Sequence, residues 1–168
     1  MVNDVIIASG TRTAIGDFGG GLSSVAPSVL ATAVAVEAIS RAGINADAVQ
    51  QAIFGNVIHT EPRDMYLSRA VAIGSGVPEE APAMNVNRLC GSGLQAIVSA
   101  AQSLIQGDAA IALAGGSESM SRSPYIMPAI RWGQKMGDTG ATDMMLGALN
   151  CPFGTGHMGV TAENVASE

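Results

Sequence analysis

Apolar residues recur along the first two thirds of the chain with the two spacings that distinguish strands from helices. Short, mostly apolar runs predict four strands, over residues 4–9, 52–58, 83–89 and 109–114. Helical spacing predicts three helices between them, over residues 27–42, 65–73 and 91–106. This regular alternation favours an α/β layered domain with a largely parallel sheet. The fourth run is entirely apolar, so we expect that strand to be buried on both faces.

Residues with strong conformational preferences mark the predicted helix ends. Pro27 suits the first helical position, and Gly43 and Gly107 suit the position after the last one. Asp64 is the expected N-cap of the second helix. The third helix carries an apolar stripe on one face, which we expect to be buried, formed by Leu94, Ile97, Val98, Ala101, Leu104 and Ile105.

After Gly116 the pattern changes to a tract rich in Met, Gly and Pro without long periodic segments. One short helix is predicted there, over residues 143–149. Thr161 is the expected N-cap of a last helix that has made only one or two turns at Glu168. We therefore expect the chain to be part of a longer protein.

Composition and charge exclude several function classes. Apolar residues make up 48% of the chain and charged residues only 13%, about half the usual quarter, so we expect it to pack against a further partner. The net charge of −6 argues against nucleic acid and anionic membranes. No apolar run is long enough for a transmembrane helix, and no signal peptide is evident, which favours the cytoplasm. Two cysteines and two histidines predict neither a disulfide framework nor a metal site.

Cys90 lies where the third predicted strand turns into a helix, and Gly91 and Gly93 follow it. A thiol at a helix N-terminus faces unsatisfied backbone N–H groups and the positive end of the helix dipole. Both favour the thiolate, which is the nucleophilic form of cysteine. The glycines leave room for a substrate carbonyl, and a nearby N–H, such as that of Cys90 itself, is a candidate oxyanion-hole donor.

Inert packing is the alternative for Cys90, because free cysteines are among the most buried residue types. The strand, the glycine pair and the helix together favour the nucleophile. The glycine-rich run at residues 16–21 is interpreted as a loop, since it has neither the Lys-Ser/Thr of a P-loop nor a GxGxxG that leads into a helix.

Four motifs follow one another along the chain: SGTRTAIGDFGG near the start, NRLCGSGLQAI around Cys90, AGGSESMS from Ala114 and HMGVTAENVA from His157. In this order they resemble the thiolases, the acyl-CoA C-acyltransferases, along essentially the whole chain. The segments GNVIHTEPRDMY and MSRSPYIMPAIRWG are more similar to the bacterial β-ketothiolase branch than to the acetoacetyl-CoA thiolases. The resemblance covers less than half of a full-length family member.

The resemblance implies a thiolase-like layered α/β fold, α-β-α-β-α in the full-length enzyme, of which this chain would be the N-terminal half. Residues 1–117 would form most of the N-terminal core domain. Residues 118–168 would begin an inserted loop domain that binds coenzyme A and contributes to tetramer contacts. A homodimer or homotetramer would also account for the high apolar content.

The resemblance also implies the chemistry. In thiolases the matching cysteine attacks an acyl-CoA and forms an acyl-enzyme, which a second acyl-CoA attacks in a Claisen condensation. The reverse reaction cleaves a 3-ketoacyl-CoA with coenzyme A, as in fatty acid metabolism. Cys90 carries over as the nucleophile, His157 and Met158 as residues near the pantetheine and thioester, and Leu149 as a contact of the adenine end. Coenzyme A thioesters are substrates, and no cofactor is implied.

The family's activating histidine, its second cysteine and its NEAF-type motif belong to the C-terminal half and are absent from these residues. Cys151 is no substitute, because CPFGTG is not a CxG motif. We therefore expect this chain alone to be inactive. Three alternatives stay open: a ketoacyl-synthase-type enzyme that uses an acyl-carrier protein, a non-catalytic thiolase-like lipid-binding or scaffold protein, and a cysteine peptidase.

Overall fold

The computed structural model describes residues 4–168, which belong to two compact units. The first unit ends at Arg122, and the second runs from Ser123 to Glu168. The domain boundary predicted after residue 117 stays a prediction; it lies shortly before this division.

The first unit is built from a three-stranded sheet and three α-helices. Its strands are β1 (Gln51–Gly55), β2 (Ala83–Val86) and β3 (Ala112–Gly116). Its helices are α1 (Pro27–Ala42), α2 (Leu67–Gly74) and α3 (Ser92–Gln106). The sheet order is β2-β1-β3, and both strand pairs are parallel. The parallel sheet is confirmed, and so is the predicted alternation from α1 onward.

In the first unit, three of the predicted helix ends are confirmed and one is wrong. Pro27 begins α1, and Gly43 and Gly107 follow the last residues of α1 and α3 in the left-handed conformation. The N-cap predicted at Asp64 is incorrect, because a 3-10 helix (Pro62–Tyr66) with Glu61 as its N-cap precedes α2. The Asp64 carboxylate is fully buried and accepts backbone hydrogen bonds from Thr60 and Glu61 instead.

The strand predicted over residues 4–9 is not present. No strand of the described residues pairs with this segment, and Ile6 and Ile7 are 81% and 79% exposed. The segment is attached to α1 through side chains: Ser9 donates a hydrogen bond to the carbonyl of Ala38 at 2.7 Å. An apolar run is thus insufficient to define a strand when no neighbouring strand offers backbone partners.

The core lies on both faces of the sheet. Phe54 packs with α1 and α2 residues on one face, whereas Ile53 packs with Ala96 and Ala100 of α3 on the other. The predicted burial of the fourth strand on both faces is confirmed in part: Leu113 of β3 is buried on the Phe54 face, whereas Ala112 and Ala114 are only partly buried on the Ile53 face.

The predicted burial of the apolar stripe of α3 is wrong. Leu94, Ile97, Val98 and Ile105 of the apolar stripe are exposed. Small residues face the sheet instead, namely Ser92, Ala96 and Ala100, at intervals of four residues. Small side chains allow the helix to lie close to the sheet. Larger apolar side chains would not fit in the space between them.

The second unit has little regular structure. β4 (Tyr125–Ile126) pairs antiparallel with β5 (Thr142–Asp143). The short helix predicted near residues 143–149 is confirmed as α4 (Met144–Leu149), and the last helix, α5, spans Met158–Ser167. The N-cap of α5 is His157 rather than the predicted Thr161, which lies inside the helix. Across residues 4–168, no helix combines the length and the apolar character needed to cross a membrane.

Candidate active site

Cys90 lies in the turn between β2 and α3, and its side chain is exposed. The parallel register pairs Gly55 with Val86 and with Gly116, so all three strands end at the same edge of the sheet. Ligand sites of open α/β sheets lie at this carboxyl edge. The predicted strand–turn–helix position of Cys90 is therefore confirmed, whereas its role as a nucleophile stays a prediction.

The turn is held in shape by hydrogen bonds to side chains on both sides of Cys90. Asn87 Oδ1 accepts the N–H of Leu89 at 3.0 Å. Ser92 Oγ accepts the N–H of Arg88 at 2.8 Å and donates to the carbonyl of Leu89 at 2.6 Å. The thiol thus projects from a turn whose backbone is fixed immediately before and after it.

Glycines allow the start of α3 to lie directly against the end of the sheet. A Cβ atom at Gly55 would lie 2.6 Å from the carbonyl carbon of Ser92, and one at Gly116 would lie 3.4 Å from Cα of Gly93. Sequence reasoning missed Gly55, Gly116 and Ser92. The signal was a glycine inside the strand predicted over residues 52–58, which often marks a close approach of another backbone, but pairing across the sheet is not visible in a single sequence.

Glu118 holds the loop that follows β1. Its carboxylate accepts hydrogen bonds from the N–H groups of Val57 at 2.8 Å and Ile58 at 3.1 Å, and from Asn56 Nδ2 at 3.2 Å. Burial raises the pKa of Glu118 although the two backbone donors oppose the shift. Glu118 lies in the motif AGGSESMS, and the sequence analysis predicted no role for it.

In the second unit, a hairpin brings together the predicted substrate-binding residues. Asn150 pairs with His157 in an antiparallel bridge, and the N–H of Cys151 donates to the carbonyl of Gly156 at 2.9 Å. Leu149 ends α4 immediately before this bridge, and Met158 begins α5 immediately after it. Leu149, His157 and Met158 therefore cluster at the base of one hairpin.

His157 has a defined tautomer in this hairpin. Its Nδ1 accepts the N–H of Gly159 at 2.9 Å, so the proton of the neutral imidazole is on Nε2. The histidine is half-buried, and Met158 beside it is 41% exposed. An Nε2–H donor next to an accessible apolar side chain suits the polar and apolar parts of a thioester ligand.

Cys151 lies in the hairpin loop, and its thiol has hydrogen-bond donors around it. The Thr155 hydroxyl is the main cause that lowers the pKa of Cys151, followed by the backbone N–H groups of Thr155 and Phe153. This environment arises from the local turn. No role in the reaction was predicted for Cys151.

The chain is similar to known proteins along nearly its whole length. The family model described as thiolase, N-terminal domain, matches residues 5–168. β-Ketothiolase BktB of Cupriavidus necator is 61% identical over 168 residues, which are 100% of this chain and 43% of that protein. The acetyl-CoA acetyltransferase of the same organism is 42% identical and is covered to 42%. The chain thus spans less than half the length of these relatives.

Solved structures agree with the sequence relatives. Human mitochondrial 3-ketoacyl-CoA thiolase in complex with CoA superposes with a TM-score of 0.90 at 36% identity, over 95% of this chain and 41% of that one. The acetyl-CoA acetyltransferase of Bacillus anthracis gives a TM-score of 0.89, also at 36% identity, over 96% of this chain and 41% of that one. The α/β layered fold of the chain is that of the thiolases. By sequence and by structure, the chain belongs to the thiolase family, of which it carries the N-terminal domain.

Proposed function

We propose that this chain supplies the nucleophilic half of an acyl-CoA C-acyltransferase. The observation that carries the proposal is the exposed Cys90, which projects from a fixed turn at the carboxyl edge of a parallel sheet. The Cys90 thiolate attacks the thioester carbon of an acyl-CoA, the carbon–sulfur bond of the thioester breaks, and coenzyme A leaves as its thiolate. A second acyl-CoA, deprotonated at its α-carbon, then attacks the acyl-enzyme; a carbon–carbon bond forms, the thioester bond to Cys90 breaks, and the Cys90 thiolate is released. In the reverse direction coenzyme A cleaves a 3-ketoacyl-CoA.

The hairpin of the second unit is the proposed contact of the coenzyme A moiety. His157 would donate from Nε2 near the thioester and pantetheine, Met158 would line the acyl pocket, and Leu149 would contact the adenine end. Their common position at the base of one hairpin supports a single ligand surface. The relative crystallised in complex with CoA supports the ligand class.

Further parts of the proposal concern the whole protein. The exposed apolar residues of α3 support packing against further polypeptide, and we propose a homodimer or homotetramer. These 168 residues lack the histidine and second-cysteine motifs that supply the base, so the chain by itself would be inactive. We also propose a cytoplasmic enzyme of fatty acid metabolism; the name of a rat relative, a cytosolic acetyl-CoA acetyltransferase, supports the compartment.

A chimera tests the proposed function. Residues 1–168 replace the matching N-terminal part of the Cupriavidus necator β-ketothiolase, and thiolysis of acetoacetyl-CoA is measured. We expect activity in the chimera, its loss in Cys90→Ala, and retention in Cys151→Ser, the matched control at the second cysteine. Activity that survives in Cys90→Ala, or acyl transfer from acyl-carrier protein but not from acyl-CoA, would contradict the proposal. Thiolysis by the 168-residue chain alone would contradict its inactivity.

A further inference from the structure

Leu89 adopts a backbone conformation that favours glycine, one residue before Cys90. Its φ is 48°, and among residues 4–168 no other non-glycine residue has a positive φ. In this left-handed conformation, Cβ crowds the following carbonyl oxygen. Such residues persist where surrounding groups hold them, and they cluster at functional sites.

Ser92 makes the contacts that hold Leu89. Its hydroxyl accepts a hydrogen bond from the N–H of Arg88 at 2.8 Å and donates one to the carbonyl of Leu89 at 2.6 Å. The two bonds hold the backbone immediately before and after Leu89. The N–H of Ser92 also donates to the carbonyl of Leu89, at 2.9 Å. Ser92 is 5% exposed, so water has little access to replace its hydroxyl.

The sheet fixes Ser92 in turn. A Cβ atom added at Gly55 would lie only 2.7 Å from Ser92 Cβ. β1 and the Ser92 side chain are therefore so close that only glycine fits at position 55. β1 is the central strand of its sheet and is held on both edges. Ser92 therefore connects the turn around Cys90, through its hydroxyl, with the central strand of the sheet, which its Cβ and backbone contact.

We propose that Ser92 is a positioning residue for Cys90. Its hydroxyl holds Leu89 in the left-handed conformation, and this conformation directs the Cys90 thiol outward at the N-terminus of α3. The inference rests on the proposed function as far as the reaction is concerned. The effect on the thiol itself is independent of any substrate.

Alkylation of Cys90 tests the proposal in the full chain. In a Cys151→Ser background, the rate constant with iodoacetamide is measured by mass spectrometry for Ser92→Ala. We expect the rate to fall about tenfold, which corresponds to 1.36 kcal/mol of barrier. The matched control is Ser75→Ala, which removes another buried serine hydroxyl bonded to backbone carbonyls, at the end of α2. Its rate should stay within about twofold of the parent, a change of less than 1 kcal/mol.

A rescue separates positioning from a general loss of structure. Glycine occupies positive φ without strain, so Leu89→Gly in the Ser92→Ala background should restore most of the alkylation rate. In the chimera described above, Ser92→Ala should lower kcat for thiolysis with little change in KM. Equal alkylation rates for Ser92→Ala and Ser75→Ala, or no rescue by Leu89→Gly, would overturn the inference. An inactive chimera with the alkylation pattern intact would refute the proposed function and leave the positioning role standing.

Discussion

Replacement of Gly55 by alanine tests the close contact between the sheet and the start of α3. The added Cβ would lie 2.6 Å from the carbonyl carbon of Ser92 and 2.9 Å from the N atom of Gly93. Both are backbone atoms, so no side-chain rotation relieves the overlap. The N-terminus of α3 must move away by roughly 0.8 Å to reach the 3.4 Å at which ordinary contact begins.

The cost of this shift follows from the position of Gly55. β1 is paired on both edges and cannot retreat, so the expected destabilisation is that of an overpacked core, about 1–3 kcal/mol. For a chain of this length, 1 kcal/mol lowers the melting temperature by about 2–4 °C. We therefore expect Gly55→Ala to melt roughly 4–8 °C lower, for a cost near 2 kcal/mol.

Far-UV circular dichroism is the suitable assay, because the only tryptophan, Trp132, lies in the second unit. The control is Gly21→Ala, where an added Cβ meets nothing within 4 Å. This control carries the same loss of unfolded-chain entropy as the test variant. A Gly55→Ala chain that melts no lower than Gly21→Ala would refute the close contact and the account of the turn that rests on it.

Three further predictions concern the side chains of Glu118, Thr155 and Asp143. The raised pKa of Glu118 means that the folded state binds its proton more tightly than the unfolded state, so stability falls as the pH rises from 4.5 through the folded pKa. Glu118→Gln should remove that slope from denaturant titrations, and an unchanged slope would contradict the assignment. Thr155→Val removes the main cause of the lowered pKa of Cys151, so alkylation of Cys151 in a Cys90→Ser background should slow several-fold at neutral pH; Thr139→Val is the control. Asp143→Ala removes the N-cap that accepts two α4 N–H groups and should cost about 1 kcal/mol, seen as faster hydrogen exchange in α4 but not in α5.

The elements of the first unit could be predicted where local signals are strong. Pro27 and Gly43 have backbone preferences that mark the two ends of α1 in any context. The turn at Cys90 was predictable for the same reason, because an extended run, two glycines and a helical pattern adjoin. These are properties of neighbouring residues.

The errors concern relations between distant residues. The spacing of Leu94 and Ile97 correctly indicates a helix, but it does not reveal that small residues face the sheet and leave these side chains exposed. Residues 4–9 have the composition of a strand, but no strand of the described residues pairs with them. Gly55 and Ser92 are 37 positions apart in the sequence, and their contact depends on how the sheet and helix pack. Single-sequence periodicity contains no information of that kind.

The most direct test of the central claim is to trap the acyl-enzyme. The chimera that carries residues 1–168 is incubated with acetyl-CoA, quenched in acid and digested, and the peptide that contains Cys90 is examined by mass spectrometry. The account predicts an acetyl group on Cys90 that disappears when coenzyme A is added, and a Cys90→Ser chimera without thiolysis activity. An active chimera whose Cys90 stays unmodified while the acetyl group resides on another residue would contradict it.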